Sequence, residues 1–143
     1  MYDIELKYLE CEYEPEYKTD GASGFDLHSI RGFWIHPRKT VIVPTGLHVE
    51  LPKGYELQVR ARSGFTVKRD IIVKNGIGTI DSDYRGEIGV IFYNIGKRSI
   101  YIEKGERIAQ AVIMPVIKAK FKKVKSIKET KRGSKGYGST GTK

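Results

Sequence analysis

The sequence has a single cysteine, Cys11, and no apolar run long enough to cross a membrane. One thiol cannot form an internal disulfide or supply a thiolate zinc cluster. A membrane-spanning helix needs roughly 18 consecutive apolar residues. The first seven residues, MYDIELK, carry acid where a signal peptide carries base, and they lack its apolar region. These absences predict a protein without a membrane span that works in a reducing compartment, the cytoplasm.

The basic charge is concentrated at one end of the chain. The formal net charge is +9, yet residues 1–117 hold 16 lysines and arginines against 16 aspartates and glutamates. Residues 118–143 hold 10 basic residues, and Glu129 is their only acid. The distribution of charge decides what a surface attracts more than its sum does. Nucleic-acid binding is therefore not expected, and the lysines that alternate along residues 117–121 are interpreted as guards of an exposed edge strand.

Glycine and proline divide the chain into short runs rich in valine, isoleucine, tyrosine and phenylalanine. Apolar residues alternate with polar ones in these runs, which is the period of a β-strand. No apolar residues repeat at helical spacing over three turns, so at most a short helix near residues 66–70 is predicted. The chain is predicted to be one all-β domain, a jelly-roll-like barrel or sandwich of about ten or more short strands. The runs are residues 2–8, 41–44, 47–51, 55–61, 88–93, 100–103, 108–113 and 117–121.

The C-terminal residues have a different composition from the rest. Residues 132–143 contain four glycines, the aromatic Tyr137 and no aliphatic residue. Such a segment buries too little apolar surface to offset the entropy lost on ordering. We therefore divide the chain into a β domain, residues 1–131, and a flexible arm, residues 132–143, which orders when something binds it.

Five segments place glycine beside polar or charged residues, a combination that a plain turn does not require. Each occurs singly in unrelated proteins. Their order and spacing together, from Gly21 to Gly141, resemble the five motifs of the trimeric deoxyuridine triphosphate nucleotidohydrolases, the dUTPases. The segments are GFDL from Gly24, RSG from Arg62, GTIDSDYRG from Gly78, GERIAQ from Gly105 and RGSKGYGSTG from Arg132.

The resemblance implies a β-clip fold and the Mg²⁺-dependent hydrolysis of dUTP to dUMP and pyrophosphate, which limits uracil in DNA and supplies dUMP for thymidylate synthesis. A triphosphate requires cations and backbone donors, and Arg62, Ser63 and Gly64 offer a guanidinium, a hydroxyl and an unobstructed amide. The resemblance adds Gln110 and Arg132 to the phosphate site. It also implies that Asp26 acts on the metal indirectly, through water.

The same resemblance assigns a base and sugar site to a glycine-bearing hairpin over residues 75–89. Bare backbone groups there present donors and acceptors to a uracil edge and leave no room for a 5-methyl group. Local sequence alone favours a cross-strand packing role for Tyr84, whereas the resemblance implies that its ring packs on the deoxyribose. The residues that this resemblance places against the base and sugar are Asn75, Gly78, Thr79, Ile80, Tyr84, Gly89, Tyr137 and Gly138.

Asp81 is the carboxylate that the resemblance makes the general base for the attacking water on the α-phosphorus. Its alternative role is the capping of a turn at the end of a hairpin. Asp83 fits a structural role better, and we expect it to form an ion pair with Arg85.

The resemblance further implies a homotrimer whose arms cross to neighbouring subunits, so that active sites lie at subunit interfaces. Ala61, Lys135 and Tyr137 depart from the usual family pattern. Two alternatives stay open: a deoxycytidine triphosphate deaminase of the same fold, and a non-enzymatic basic β-module that senses nucleotides or binds nucleic acid through residues 118–135. The sequence contains neither a P-loop lysine nor a deaminase metal signature.

Overall fold

The structure, a computed structural model, describes residues 3–137, and within them the regular secondary structure consists almost entirely of short antiparallel strands. The all-β prediction is confirmed. The elements are β1 (Lys7–Tyr8), β2 (Phe25–His28), β3 (Phe33–Ile35), β4 (Thr40–Pro44), β5 (Val49–Glu50), β6 (Tyr55–Ala61), α1 (Ser63–Thr66), β7 (Ile71–Val73), β8 (Gly78–Ile80), β9 (Gly89–Asn94), β10 (Ile100–Ile102) and β11 (Arg107–Pro115).

Two larger sheets and two ribbons enclose one core. The first sheet has the order β2-β11-β6-β8 and the second the order β4-β9-β7, while β1 pairs with β5 and β10 pairs with β3. Side chains alternate along each strand, so each sheet contributes its inward residues to a shared interior. Leu57 and Ile108 come from the first sheet, Val43 and Phe92 from the second, and all four are 0% exposed.

The helix begins earlier than the sequence predicts. It spans Ser63–Thr66 instead of residues 66–70. The carbonyl of Arg62 accepts the amides of Phe65 and Thr66, each at 3.1 Å, and Phe65 is buried. Val67, the next apolar residue, is 83% exposed. The residues after Thr66 therefore present no apolar face to the core, and the helix ends there.

The predicted strand over residues 117–121 is wrong. β11 ends at Pro115, and the amide of Val116 still donates to the carbonyl of Gly54 at 2.8 Å. Beyond that bond the segment has no regular structure, and Ile117 and Phe121 are 96% and 98% exposed. Alternation alone does not make a strand where no neighbouring strand in the described chain supplies a ladder and no core covers the apolar face.

The structure contains no helix within residues 3–137 that is long and apolar enough to cross a bilayer.

Asn94 fastens the β3–β10 ribbon to the second sheet. Its side chain is fully buried, and its amide nitrogen donates to the carbonyls of Ile35 at 2.9 Å and Arg98 at 2.7 Å. Its amide oxygen accepts the backbone amide of Gly96 at 2.9 Å. One side chain therefore satisfies three backbone groups from β3 and from the turn that leads to β10.

We expect Asn94→Ala to lower the free energy of unfolding by about 2–4 kcal/mol, because it leaves buried backbone groups without partners. Urea denaturation measures this loss. Ser126→Ala, an exposed substitution in the irregular C-terminal segment, should change stability by less than about 0.5 kcal/mol. Equal stability of the two variants would contradict the role given to Asn94.

Candidate active site

β11 brings three separate sequence segments side by side. Its Gln110 lies opposite Asp26 of β2 and opposite Arg60 of β6, while Ala109 pairs with Ala61 at the end of β6. The amide nitrogen of Gln110 donates to the carbonyl of Ala61 at 2.9 Å. Because an NH₂ group carries two hydrogens, one remains for a ligand.

Asp26 holds two arginines. Its carboxylate is only 13% exposed, and its two oxygens accept Nε of Arg62 at 2.8 Å and Nη1 of Arg107 at 3.3 Å. Nη1 of Arg62 also donates to the carbonyl of Arg107 at 3.1 Å. Charge-assisted bonds of this kind fix the guanidiniums in place. Two cations share one anion, so the group keeps a net positive charge.

These residues line an open polar cleft of about 300 Å³. Gly24 sits at its wall, where an added Cβ would lie 2.6 Å from the carbonyl oxygen of Ala111, so only glycine fits. Gly64 has open space where a side chain would project, so its backbone is accessible to a ligand. The lining residues are Lys18, Gly24, Asp26, Arg62, Ser63, Gly64, Arg107 and Gln110.

A second cleft, of about 250 Å³, lies on the outer face of β4 and β9, beside Ile80 and Tyr84, and is mainly apolar. The hydroxyl of Tyr84 donates to the carbonyl of Glu87 at 3.1 Å, which fixes the ring at the rim, and the ring is 44% exposed. An added Cβ at Gly89 would lie 2.6 Å from Cγ2 of Ile42, so this glycine gives the cleft its width. The lining residues are Ile42, Pro44, Ile80, Tyr84, Glu87, Gly89 and Ile91.

The predicted hairpin over residues 75–89 is not formed as one unit. β8 pairs with β6 in the first sheet, whereas β9 pairs with β7 and β4 in the second. The chain therefore crosses between sheets twice, at the exposed Asn75 and again after Ile80. Gly78 packs on Val59, and the exposed Thr79 lies opposite Gln58. Their predicted contacts with a base stay predictions.

Asp81 is exposed in the turn that follows β8, and its carbonyl accepts the amide of Tyr84 at 3.1 Å. It lines neither cleft of its own chain. The expected ion pair between Asp83 and Arg85 does not form in the described residues. The Arg85 guanidinium folds back onto its own turn instead and donates to the carbonyls of Ser82 at 2.7 Å and Tyr84 at 2.9 Å.

The described part of the arm is fully exposed and lines neither cleft. Nε of Arg132 donates to the carbonyl of Lys135 at 3.0 Å, and Gly133 donates to the carbonyl of Thr130 at 3.0 Å. The Tyr137 side chain is exposed. Gly138 lies outside the described residues. The phosphate and base contacts assigned to the arm therefore stay predictions.

Sequence reasoning missed two cleft residues, Arg107 and Lys18. In a regular strand, residues two apart lie on the same face, so alternation places Ile108, and not Arg107, on the face of Gln110. Ile108 is buried. A register shift between Arg107 and Ala109 interrupts the alternation and brings Arg107 into the cleft. The one available signal was the position of Arg107 inside the GERIAQ segment.

His28 lies just behind the polar cleft. Its ring stacks on Tyr13 with 4.9 Å between centroids, and its Nδ1 is buried without a hydrogen-bond partner in residues 3–137. Burial lowers the pKa of His28 below its ordinary value. The nearby Asp26 opposes this shift, while Lys18, Arg107 and Arg62 add to it.

Known proteins share both the sequence and the fold. Residues 13–141 match the family model for dUTPase. The chain is 48% identical to the deoxyuridine 5′-triphosphate nucleotidohydrolase of Chlamydia abortus, over 93% of this chain and 97% of that one. It is 50% identical to the enzyme of the same name from Nautilia profundicola, over 96% and 99% of the two chains.

A solved structure, a mutant dUTPase of Staphylococcus bacteriophage 80alpha with dUpNHpp, superimposes with a TM-score of 0.88. The two chains are 27% identical, and the match covers 96% of this chain and 98% of that one.

We expect the free energy of unfolding to fall as the pH drops below about 6.5, the ordinary pKa of histidine. The pKa of His28 is lower in the folded chain than in the unfolded chain. The contribution of His28 to the free energy of unfolding is therefore complete above the unfolded pKa and is lost as the pH falls toward the folded pKa. His28→Phe keeps a ring on Tyr13 and removes the titration. Urea denaturation from pH 5 to pH 8 should show a flatter profile for the variant, and parallel profiles would contradict the prediction.

Proposed function

Because the chain belongs to the dUTPase family, we propose that its polar cleft binds the triphosphate of dUTP and its apolar cleft binds the deoxyuridine. The chain is a dUTP diphosphatase, which hydrolyses dUTP to dUMP and pyrophosphate. The observation that carries the proposal is the pair of guanidiniums held on the single carboxylate of Asp26.

The polar cleft supplies what a triphosphate needs. Arg62 and Arg107 present oriented guanidiniums, and Ser63 and Gly64 follow with a hydroxyl and an accessible backbone. These donors are positioned before the ligand arrives, so they stabilise charge on the phosphates without reorganisation during the reaction. Gln110 adds an amide hydrogen on the opposite wall.

The donor set of the polar cleft fits Mg²⁺ that arrives on the nucleotide. No cluster of three or more histidine, cysteine, aspartate or glutamate side chains able to hold a metal occurs within residues 3–137. Mg²⁺ keeps several of its waters and commonly binds through substrate phosphates and one or two carboxylates. Both oxygens of Asp26 already accept arginines, which suits contact through water. When bound, Mg²⁺ neutralises charge on the phosphate oxygens.

The apolar cleft suits a uracil and its deoxyribose. β8 is the edge strand of its sheet, paired only with β6 within the described chain, so the other backbone edge of residues 78–80 is free. An edge strand offers donors and acceptors in alternation, which matches the edge of a base. Tyr84, fixed by its bond to Glu87, closes the space where a ribose 2′-hydroxyl would sit.

Asp81 is the proposed general base, and its position favours shared active sites. A base must lie within hydrogen-bond reach of the attacking water beside the α-phosphate. Asp81 lines no cleft with Arg62 on its own chain, so a neighbouring chain brings the two together. The outer face of the second sheet also exposes Ile72, which is 43% exposed and lines neither cleft, and a neighbour would cover it. We therefore assign the enzyme a homotrimeric assembly closed by the arms.

Substrate choice is tested by incubating the protein and Mg²⁺ separately with dUTP, dTTP, dCTP and UTP. We expect dUMP and pyrophosphate from dUTP alone, since the apolar cleft excludes the 5-methyl group, the cytosine edge and the 2′-hydroxyl. Chromatography with phosphate and ammonia assays identifies the products. Ammonia from dCTP would point to the deaminase alternative, and equal turnover of UTP would contradict the role of Tyr84.

Asp81→Asn should keep nucleotide affinity while lowering kcat by about two to four orders of magnitude, the usual contribution of a positioned base. The amide has nearly the same shape but cannot take the proton from water. Calorimetric binding of dUpNHpp and steady-state hydrolysis separate the two effects. Asp83→Asn, two residues further along the same turn, is the matched control and should retain turnover. Near-normal kcat in Asp81→Asn would refute the assignment.

Shared sites predict complementation between two inactive variants. Light scattering should report three times the chain mass of 16.2 kDa. If each site takes Arg62 from one chain and Asp81 from a neighbour, trimers refolded from equal amounts of Arg62→Ala and Asp81→Asn should recover about one quarter of wild-type activity. No recovery in mixed trimers would place both residues in a site within one chain.

Removing residues 131–143 should leave the fold intact, because none of residues 131–137 is buried and β11 already ends at Pro115, and should abolish most of the turnover. The arm supplies the Arg132 charge and excludes water when it closes. Tyr137→Ala should cost only about 1–3 kcal/mol of base stacking, and Tyr137→Phe should cost almost nothing. Unchanged turnover after truncation would mean that the arm has no catalytic role.

A further inference from the structure

The β3–β10 ribbon presents an aromatic pair to solvent on a basic surface. Trp34 lies opposite Tyr101, and their ring centroids are 4.9 Å apart with 44° between the planes. The side chains are 58% and 44% exposed. The neighbouring Ile35 and Ile102 point inward and are 0% exposed, so a packed underside supports the pair.

Local packing fixes the orientation of both rings. Tyr101 lies over Gly32, where a side chain would occupy the place of the tyrosine hydroxyl. Two residues further along the ribbon, Nδ1 of His36 and Oγ of Ser99 are 2.9 Å apart, which ties the strands together beyond the pair. The three bonds of Asn94 anchor the ribbon to the core. The aromatic pair is therefore a rigid platform.

Positive charges predominate around this platform. Residues 27–49 and residues 88–102 contain no aspartate or glutamate. The acids next to the ribbon are Glu103, which follows β10, and Asp70, which lies against Gly96. Five exposed cations flank the ribbon, and none of them forms an ion pair within residues 3–137; they are Arg31, Arg38, Lys39, Lys97 and Arg98.

Arg38 occupies a backbone conformation that favours glycine. Its φ is +61°, in the left-handed region, and its amide donates to the carbonyl of Asn94 at 3.0 Å. Non-glycine residues are strained there. An exposed cation thus stands in the turn after β3 at a position where glycine would fit the backbone better.

We propose that the β3–β10 ribbon binds single-stranded nucleic acid, with bases stacked on Trp34 and Tyr101 and phosphates contacted by the flanking cations. Exposed aromatic rings among cations are the features with which proteins bind unpaired bases, whereas a duplex keeps its bases stacked within the helix. None of the ribbon residues lines either cleft, so this surface is separate from the dUTP site.

The chain contains one tryptophan among nine tyrosines, so its tryptophan emission, excited selectively, reports on Trp34 alone. Adding a 20-nucleotide oligo(dT) to the full-length protein at low salt should quench this fluorescence. The affinity measured by anisotropy of labelled oligo(dT) should fall as salt rises. A duplex of the same length should leave the tryptophan fluorescence unchanged.

Trp34→Ala and Tyr101→Ala should each weaken oligo(dT) binding by about tenfold to a hundredfold, while Tyr101→Phe, which keeps the ring, should bind almost as wild type does. Unchanged dUTP hydrolysis verifies that each variant is folded. Arg38→Gly should weaken binding and reduce the salt slope by about 0.7, with thermal stability equal to or above wild type.

The lysines of residues 118–128 provide the control, because they also attract polyanions. Replacing Lys118, Lys120 and Lys122 by glutamine should lower non-specific affinity without changing the fluorescence quenching. The proposal is overturned if oligo(dT) binding depends on these lysines and not on Trp34. It is also overturned if Trp34 responds to anionic phosphatidylserine vesicles or to protein concentration alone, since those results would assign the platform to a membrane or to another copy of the chain.

Discussion

The pairing of β11 with both β2 and β6 is the interaction on which the polar cleft depends. Backbone ladders fix which residues lie opposite one another, and a slip of one residue would turn Gln110 to the other face of the sheet. The register shift near Arg107 then brings a second guanidinium to Asp26. Three of the residues that line the cleft, Asp26, Arg107 and Gln110, thus lie on strands, whose hydrogen bonds position them more rigidly than a loop would.

Asp26 makes this arrangement of charges possible. Two guanidiniums side by side repel each other, and a carboxylate that is only 13% exposed offsets that repulsion while it orients both groups. A triphosphate that enters the cleft meets cations already in place. Because the same two contacts occupy both carboxylate oxygens, the contact with Mg²⁺ that we propose for Asp26 would run through water.

Alternation in the sequence found the long strands and missed several of the short ones. Residues 55–61 were predicted with the bounds that β6 has, and residues 108–113 lie inside β11. β3, β7 and β8 have three residues each, too few to show a period of two. Apolar and polar residues alternate along residues 117–121, but this segment pairs with no strand in the described chain. The motifs identified the residues that line the polar cleft, except Arg107 and Lys18. Arg107 enters the cleft through a bulge and Lys18 from a loop, and neither feature produces a periodic pattern in the sequence.

The charge balance of residues 1–117 conceals how the fold distributes charge. Screening confines each charge to about 8–10 Å at physiological salt, so a neutral sum over the body does not describe the field at any one surface. The fold places acids near the N-terminus and collects free cations around Trp34 and Tyr101. In the cleft the cations are oriented by Asp26 and partly buried, whereas those on the ribbon are exposed. Added salt should therefore weaken contacts at the ribbon well before it weakens phosphate binding in the cleft.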